Sequence, residues 1–118
     1  MQEFIMFMNS KSMKLKMYRT RFSNPHGLDT VNHYSCCEDV LIMSKEIMKI
    51  DKLRKIILTQ SHKGKLKFHI NGKVIVKPSF WKNTNKLLGS EGIIGIKTGI
   101  TSKAGGCLST CFRDKNGE

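Results

Sequence analysis

The stretch GIKTGITSKAGGC, residues 95–107, decides the fold of this 118-residue chain. Lys97 and Thr98 stand between glycines, directly after the apolar run at 93–96, which predicts a short strand leading into Lys-Thr-Gly. A phosphate-binding P-loop needs Gly-Lys-Ser/Thr in direct succession, with a helix after it. Here Ile96 separates Gly95 from Lys97, and more glycines follow. The triplet is therefore not expected to hold a phosphate.

Composition predicts one globular domain. The chain has 39% hydrophobic residues and a formal net charge of +12. Such a charge favours acidic partners, but the lysines are spread along the chain, which favours an ordinary solvated surface over nucleic-acid binding. No apolar stretch is long enough for a transmembrane segment. The four cysteines form no CxxC pair, so we expect no metal site. Cys36 and Cys37 are interpreted as small apolar residues of a helix.

Periodicity outlines the elements on either side of the triplet. Residues 2–17 predict a helix with a core-facing stripe, and 18–34 a loop. A capping box from Ser35 to Glu38 predicts the start of a second helix, and Asp51 a cap for a third through residue 58. Alternation up to Asn71-Gly72 predicts a hairpin whose return strand ends at Pro78. Strands at 92–99 and 105–112 and a turn at 114–117 complete the prediction. The stripe consists of Phe4, Ile5, Met8, Met13 and Met17.

The flanks of Lys-Thr-Gly carry a resemblance to a known family. The segments are NTNKLL (83–88), GIIGIKTGIT (92–101) and AGGCL (104–108), preceded in the same order by FMN (7–9), FSNPHGLD (22–29) and HYS (33–35). Together they resemble the D-alanyl-D-alanine carboxypeptidases, the low-molecular-weight penicillin-binding proteins. The resemblance runs from about residue 3 to residue 115.

The resemblance implies an α/β (α+β) architecture: a partial β-lactamase/transpeptidase-like fold with a mainly antiparallel sheet packed with helices. It implies a substrate peptide ending in D-Ala-D-Ala, β-lactam antibiotics as ligands of the complete domain, no cofactor and an extracytoplasmic location. Lys97 and Thr98 would bind the substrate carboxylate. Gly99 would let a peptide lie close to the strand, and Ile100 would offer its N–H to the oxyanion. His26 and His33 would shape the cleft, and Cys107 would pack near the sheet interior.

The family's other two motifs do not stand where the resemblance requires them. Ser-x-x-Lys should supply the nucleophile and its base, and Ser-x-Asn should follow. The only Ser-x-x-Lys is Ser79–Lys82, too close to Lys97, and it is interpreted as a chance match; Ser-x-Asn does not occur. Residues 1–118 are therefore interpreted as a partial catalytic domain without its nucleophile. Expressed alone, it should be marginally stable or aggregate.

Three functions remain open. The first is a serine-type D-Ala-D-Ala carboxypeptidase of peptidoglycan stem peptides, present here as an incomplete copy and inactive alone. The second is a non-catalytic remnant that binds peptidoglycan or a polyanion. The third is a serine β-lactamase-like hydrolase, which shares Lys-Thr-Gly, although the Asn-Pro-His-Gly-Leu loop favours the carboxypeptidase.

Overall fold

The computed structural model describes residues 1–90 and 92–113, so the turn predicted at 114–117 lies outside the described residues. Helices come first and antiparallel hairpins follow, which confirms the α+β class. The elements are α1 (Gln2–Lys14), α2 (Cys37–Met48), α3 (Asp51–Ile57), β1 (Ser61–Ile70), β2 (Lys73–Lys82), β3 (Ile93–Thr101) and β4 (Gly105–Phe112). In this part of the chain β1 pairs with β2 and β3 with β4, as two separate sheets.

Helix α1 ends three residues earlier than predicted, in a Schellman turn. Lys16 has a φ of 64°, the amide of Met17 donates to Ser12 O at 2.9 Å, and the amide of Lys16 donates to Met13 O at 2.9 Å. This pair of bonds satisfies the last carbonyls of the helix and places the next residue against it. Met17 is accordingly buried, as the stripe predicts. The stripe is wrong for Phe4 and Met13, which are 57% and 56% exposed.

The capping box predicted at Ser35 does not form. The Ser35 hydroxyl bonds the Thr20 hydroxyl at 2.8 Å, and α2 begins instead at Cys37 with Cys36 as its N-cap and no side-chain cap bond. Cys37 is therefore a helical residue, as predicted, but it is exposed, and Cys36 lies just outside the helix. The Ser35 hydroxyl thus joins a tertiary network, because Thr20 also donates to the buried Asp39 carboxylate. This network replaces the local cap bond to α2.

The side chain of Glu38 does not reach back to Ser35; it pairs with Arg19 at 3.0 Å on the surface. The pKa of Glu38 lies below its ordinary value, because its own backbone amide, the Cys36 thiol and then Arg19 favour the carboxylate. Helix α3 differs similarly from the prediction. Its N-cap is Ile50, and Asp51 is the first helical residue, where its carboxylate bonds Arg54 at 2.6 Å.

The β1–β2 hairpin turns at Asn71-Gly72 as predicted. Both residues have positive φ, 50° and 73°, which is the type I′ geometry that joins two antiparallel strands directly. The prediction that Pro78 ends the return strand is wrong, because β2 continues to Lys82. Counting from the closing pair Ile70–Lys73, Pro78 falls opposite Lys65 at a pair that exchanges no backbone hydrogen bonds. Proline has no backbone N–H, but the residue at position 78 does not donate to the opposite strand, so the proline fits here.

The second hairpin is the part of the fold that the helices support. The Ser44 hydroxyl in α2 bonds the Ser109 hydroxyl in β4 at 3.0 Å. In β3, Gly95 packs directly on Ile57 of α3. Ile94, beside it, is 7% exposed. The helices therefore fix the first half of β3, and its second half, which carries the Lys-Thr-Gly triplet, extends beyond them.

The chain exposes far more surface than a compact protein of its mass. Its accessible surface is 9812 Å², whereas a folded monomer of 13.4 kDa exposes about 6,500 Å². Its radius of gyration is 17.1 Å, compared with about 13.5 Å for a compact domain of this length. Large apolar side chains such as Met6, Phe7 and Ile100 are 64–82% exposed. None of the described helices is long and apolar enough to cross a membrane.

Candidate functional site

The four residues predicted to bind substrate lie consecutively on β3, at the edge of its sheet. β3 pairs with β4 on one side, where Lys97 faces Ser109 and Ile100 faces Gly106. No strand of residues 1–90 or 92–113 covers the other side. An open edge presents unpaired N–H and C=O groups, which can pair with an extended peptide. The structure thus places the predicted residues where a peptide could add as a strand.

The exposed part of β3 has room for a ligand backbone. Lys97, Gly99 and Ile100 are exposed, and Ile100 is 82% exposed. A Cβ added to Gly99 would meet nothing within 4 Å. A peptide backbone can therefore approach the strand at this residue without meeting a side chain.

The polar groups of the triplet have local partners. The ammonium of Lys97 donates to the backbone carbonyl of Thr98. No described carboxylate forms an ion pair with this ammonium. The hydroxyls of Thr98 and Thr84 bond each other at 2.5 Å. The site thus holds a cation next to a hydroxyl, a combination that suits a carboxylate.

A buried amide behind β3 holds the strand in place, and the sequence did not identify its role. Asn85 is 7% exposed, and its Nδ2 donates to the carbonyl of Gly95 at 3.1 Å. Thr110 of β4 donates to the same carbonyl at 2.7 Å. Asn85 also accepts the Leu87 amide at 3.0 Å, so the connection after β2 folds around it. The signal available in the sequence was Asn83-Thr84-Asn85, because asparagines in loops bond nearby backbone groups.

The loop from 22 to 34 reaches the far end of β3 and forms one wall of an open groove. Leu28 and Asp29 line it on one side, and Ile100, Thr101 and Ser102 on the other. The Thr101 hydroxyl donates to the Asp29 carboxylate at 3.0 Å, which ties the two walls together. The groove begins at Ile100 and therefore continues the open edge of β3.

The two histidines of this loop bond within the loop. His33 Nδ1 accepts the Ser23 amide at 3.1 Å, and His26 Nδ1 accepts the Leu28 amide at 3.3 Å. Asn24, 5% exposed, donates to the Leu28 carbonyl at 2.9 Å and accepts the Gly27 amide at 2.7 Å. Side chains with such partners shape a loop, so neither histidine is arranged as a general base for a nucleophile in the described residues.

The single Ser-x-x-Lys of the chain has the wrong geometry for catalysis. Ser79 and Lys82 both lie on β2, where Ser79 pairs with Gly64 and Lys82 with Ser61. Residues three apart on a strand point to opposite faces. Lys82 is therefore not placed to take a proton from Ser79. The prediction that Cys107 packs near the sheet interior is wrong, because Cys107 is exposed on β4 opposite Gly99.

Comparisons with known proteins agree with this arrangement. The model of the D-alanyl-D-alanine carboxypeptidase family matches residues 1–117. The chain is 35% identical to D-alanyl-D-alanine carboxypeptidase DacF of Bacillus subtilis (strain 168) over 117 residues, covering 98% of this chain and 28% of that protein.

Solved structures show the same fold. A Streptomyces DD-transpeptidase matches with a TM-score of 0.86 and 28% identity, over 97% of this chain and 43% of that one. A serine-to-alanine variant of that enzyme matches with a TM-score of 0.85 and 29% identity, over 97% of this chain and 44% of the variant. The chain thus spans less than half the length of these relatives. Over that length, the chain belongs to the D-alanyl-D-alanine carboxypeptidase family.

Proposed function

We propose that this chain is the carboxylate-binding part of the catalytic domain of a serine-type D-Ala-D-Ala carboxypeptidase. The reaction would remove the terminal D-alanine from peptidoglycan stem peptides. The observation that carries the proposal is the open edge of β3, where Lys97, Thr98, Gly99 and Ile100 lie in sequence beside unoccupied space.

Each residue of the edge has a task that its chemistry suits. The Lys97 ammonium and the Thr98 hydroxyl would bind the carboxylate at the end of the substrate. The peptide would lie over Gly99 as an added strand. The N–H of Ile100 would stabilise the oxyanion that forms at the scissile carbonyl, an effect on the order of 3 kcal/mol for one such donor.

The nucleophile would come from outside these 118 residues. A serine hydroxyl attacks the carbonyl between the two D-alanines, its proton passes to a lysine base, and D-alanine leaves as the amine. Water then hydrolyses the acyl-enzyme and releases the shortened peptide. Ser79 and Lys82 cannot perform this step, because they point to opposite faces of β2.

The surface of the chain supports the participation of further polypeptide. Its accessible area exceeds that of a compact protein of equal mass by about 3,300 Å². Large apolar side chains contribute to this exposed surface, such as those of Phe4 and Phe7 on α1, which are 57% and 64% exposed. An apolar surface of this extent is typical of a contact face. The rest of the catalytic domain is the partner proposed for it.

Labelling with a fluorescent penicillin tests the proposal. The proteins are the 118-residue chain, a version extended upstream in the gene, and two variants of the extended version, Lys97→Ala and Lys103→Ala. Lys103 is the matched control, because it lies in the turn between β3 and β4, outside the predicted binding edge. We expect labelling of the extended protein only, about 100-fold slower labelling of Lys97→Ala, and unchanged labelling of Lys103→Ala.

Two outcomes would contradict the proposal. An extended protein that stays unlabelled while folded has no competent nucleophile, and the chain is then a non-catalytic member of the family. Equal labelling of the two lysine variants would remove the special role of Lys97.

A further inference from the structure

Half of the formal net charge of the chain is concentrated on one hairpin. Residues 61–82 contain six lysines and neither an aspartate nor a glutamate, in a chain whose net charge is +12. These residues are β1, β2 and the two-residue turn between them. The catalytic proposal uses none of these lysines. The lysines are Lys63, Lys65, Lys67, Lys73, Lys77 and Lys82.

The register of the hairpin divides its side chains between two faces. Residues directly opposite each other in an antiparallel pair lie on the same face, and successive residues alternate. Lys63, Lys65 and Lys67 therefore share one face with Lys82, which lies opposite Ser61, and with the apolar β2 residues Val74, Val76, Pro78 and Phe80. We call the four lysines of this face the lysine face. The other face is mainly apolar and carries Leu66, Phe68, Ile70, Ile75 and Trp81, with Lys73 and Lys77 among them.

The lysine face forms a straight row of unpaired cations. Alternate residues on a strand are about 6.8 Å apart, so Lys63, Lys65 and Lys67 span about 14 Å. All three are exposed. Every ion pair found in the described part of the chain involves Arg19, Lys49 or Arg54, so no described carboxylate neutralises the row. Cations repeated at a regular interval along one line match a ligand whose anions also repeat along one line.

We propose that the lysine face binds a flexible linear polymer of phosphodiester groups. The row is one-dimensional and narrow, which fits an extended chain. The apolar side chains of Val74, Val76 and Phe80 lie beside the row on the same face, so an anionic bilayer is the competing ligand that the test below must separate. Lysine suits such a ligand, because its ammonium is a point charge that accepts phosphate from any direction. The inference does not depend on the proposed catalytic function.

Binding of fluorescein-labelled poly(glycerol phosphate) to the upstream-extended protein tests the inference by anisotropy. This probe has phosphates along a flexible backbone and no bases. The variant Lys63→Gln/Lys65→Gln/Lys67→Gln removes the row. The matched control, Lys45→Gln/Lys52→Gln/Lys55→Gln, removes the same charge from exposed positions on α2 and α3. Circular dichroism confirms that each variant is folded.

Counterion release gives the size of the expected effect. Each lost contact lowers the slope of log K against log salt by about 0.7 for a flexible chain, so the hairpin variant should lose about 2. At about 0.05 M salt this corresponds to a loss of affinity of about 400-fold. The control should retain the parental slope. Replacement of the same three lysines by arginine should preserve binding.

Equal weakening in both triple variants would overturn the inference, because total charge would then explain the binding. Two other probes are decisive in the same way. Tighter binding to vesicles containing phosphatidylglycerol would assign the lysine face to a membrane surface, and tighter binding to duplex DNA would assign it to a rigid polyanion. Either result would refute the proposed flexible polymer.

Discussion

Replacing Gly95 by alanine should destabilise the chain and displace strand β3, which carries the proposed binding edge. Gly95 has a φ of 37°, in the left-handed region that residues with a Cβ adopt at a cost. It lies in β3, two residues before Lys97, at the point where α3 supports the strand. The carbonyl of Gly95 also accepts the hydrogen bonds from Asn85 and Thr110. One methyl group here therefore affects both packing and the position of β3.

Two destabilising effects and one smaller stabilising effect set the expected change in the free energy of unfolding. The left-handed backbone costs a non-glycine residue about 1–2 kcal/mol. The new Cβ would lie 3.0 Å from the Cβ of Ile57 and 3.2 Å from its carbonyl oxygen, and overpacking of this kind costs about 1–3 kcal/mol. The lower entropy of alanine in the unfolded chain offsets about 0.5 kcal/mol. We expect a net loss of about 3 kcal/mol.

The assay is thermal unfolding of the upstream-extended protein followed by circular dichroism, with Gly106→Ala as the matched control. Gly106 also lies in this hairpin, but a Cβ added there meets nothing within 4 Å. Gly95→Ala should lower the Tm by about 10 °C or abolish the transition, whereas the control should stay close to the parent. Equal Tm values for the two variants would refute the account of how α3 supports β3.

Three further predictions concern single side chains. Asn85→Ala should lower the free energy of unfolding by about 1–3 kcal/mol in urea titrations, because it removes a buried amide that bonds β3; no change would contradict its positioning role. Thr20→Val should lower the free energy of unfolding by about 2 kcal/mol in the same assay, because it removes the 2.7 Å hydrogen bond to the buried Asp39 carboxylate. Thr59→Val, which removes an exposed hydroxyl, should be nearly neutral. The pKa of Glu38 is held below its ordinary value of 4.5, so its contribution to stability is complete above pH 4.5 and disappears as the pH falls through the lower, folded-state pKa. When the pH is lowered from about 5 to about 3, Glu38→Gln should therefore lose less stability than the parent. Identical pH profiles would contradict the assignment.

Local signals in the sequence were sufficient for the elements that local chemistry controls. Asn71-Gly72 has the positive φ angles of a type I′ turn, which only a few residue pairs adopt easily, and it fixes the hairpin. The apolar run before Lys97 forms the buried start of β3. The exposed triplet on the same strand was likewise recognisable, because its residues are contiguous in the sequence.

Tertiary partners explain where the sequence prediction failed. Ser35 has the right spacing to cap α2, but Thr20 takes its hydroxyl. Pro78 has no donor for the ladder, but its position opposite Lys65 needs none. Asn85 becomes a positioning residue only because β3 folds back beside it. Such partners are distant in the chain, so no periodicity or local motif reveals them.

The exposure of α1 has a different cause. Phe4 and Met13 have helical spacing and are apolar, which predicts a core face. Both are more than half exposed, because the described residues provide no element that covers this side of the helix. Periodicity identifies the face that is suited to burial, and a second element must be present to bury it.

We propose above that the Lys97 ammonium binds the carboxylate at the end of the substrate. The most direct measurement compares hydrolysis of a diacetylated Lys-D-Ala-D-Ala peptide with hydrolysis of its C-terminal amide, by the upstream-extended protein and by its Lys97→Ala variant. We expect the parent to prefer the free carboxylate strongly, measured as kcat/KM, and the variant to lose most of this preference while its activity on the amide changes little. A variant that retains the full preference would show that another group binds the carboxylate, and would contradict the account.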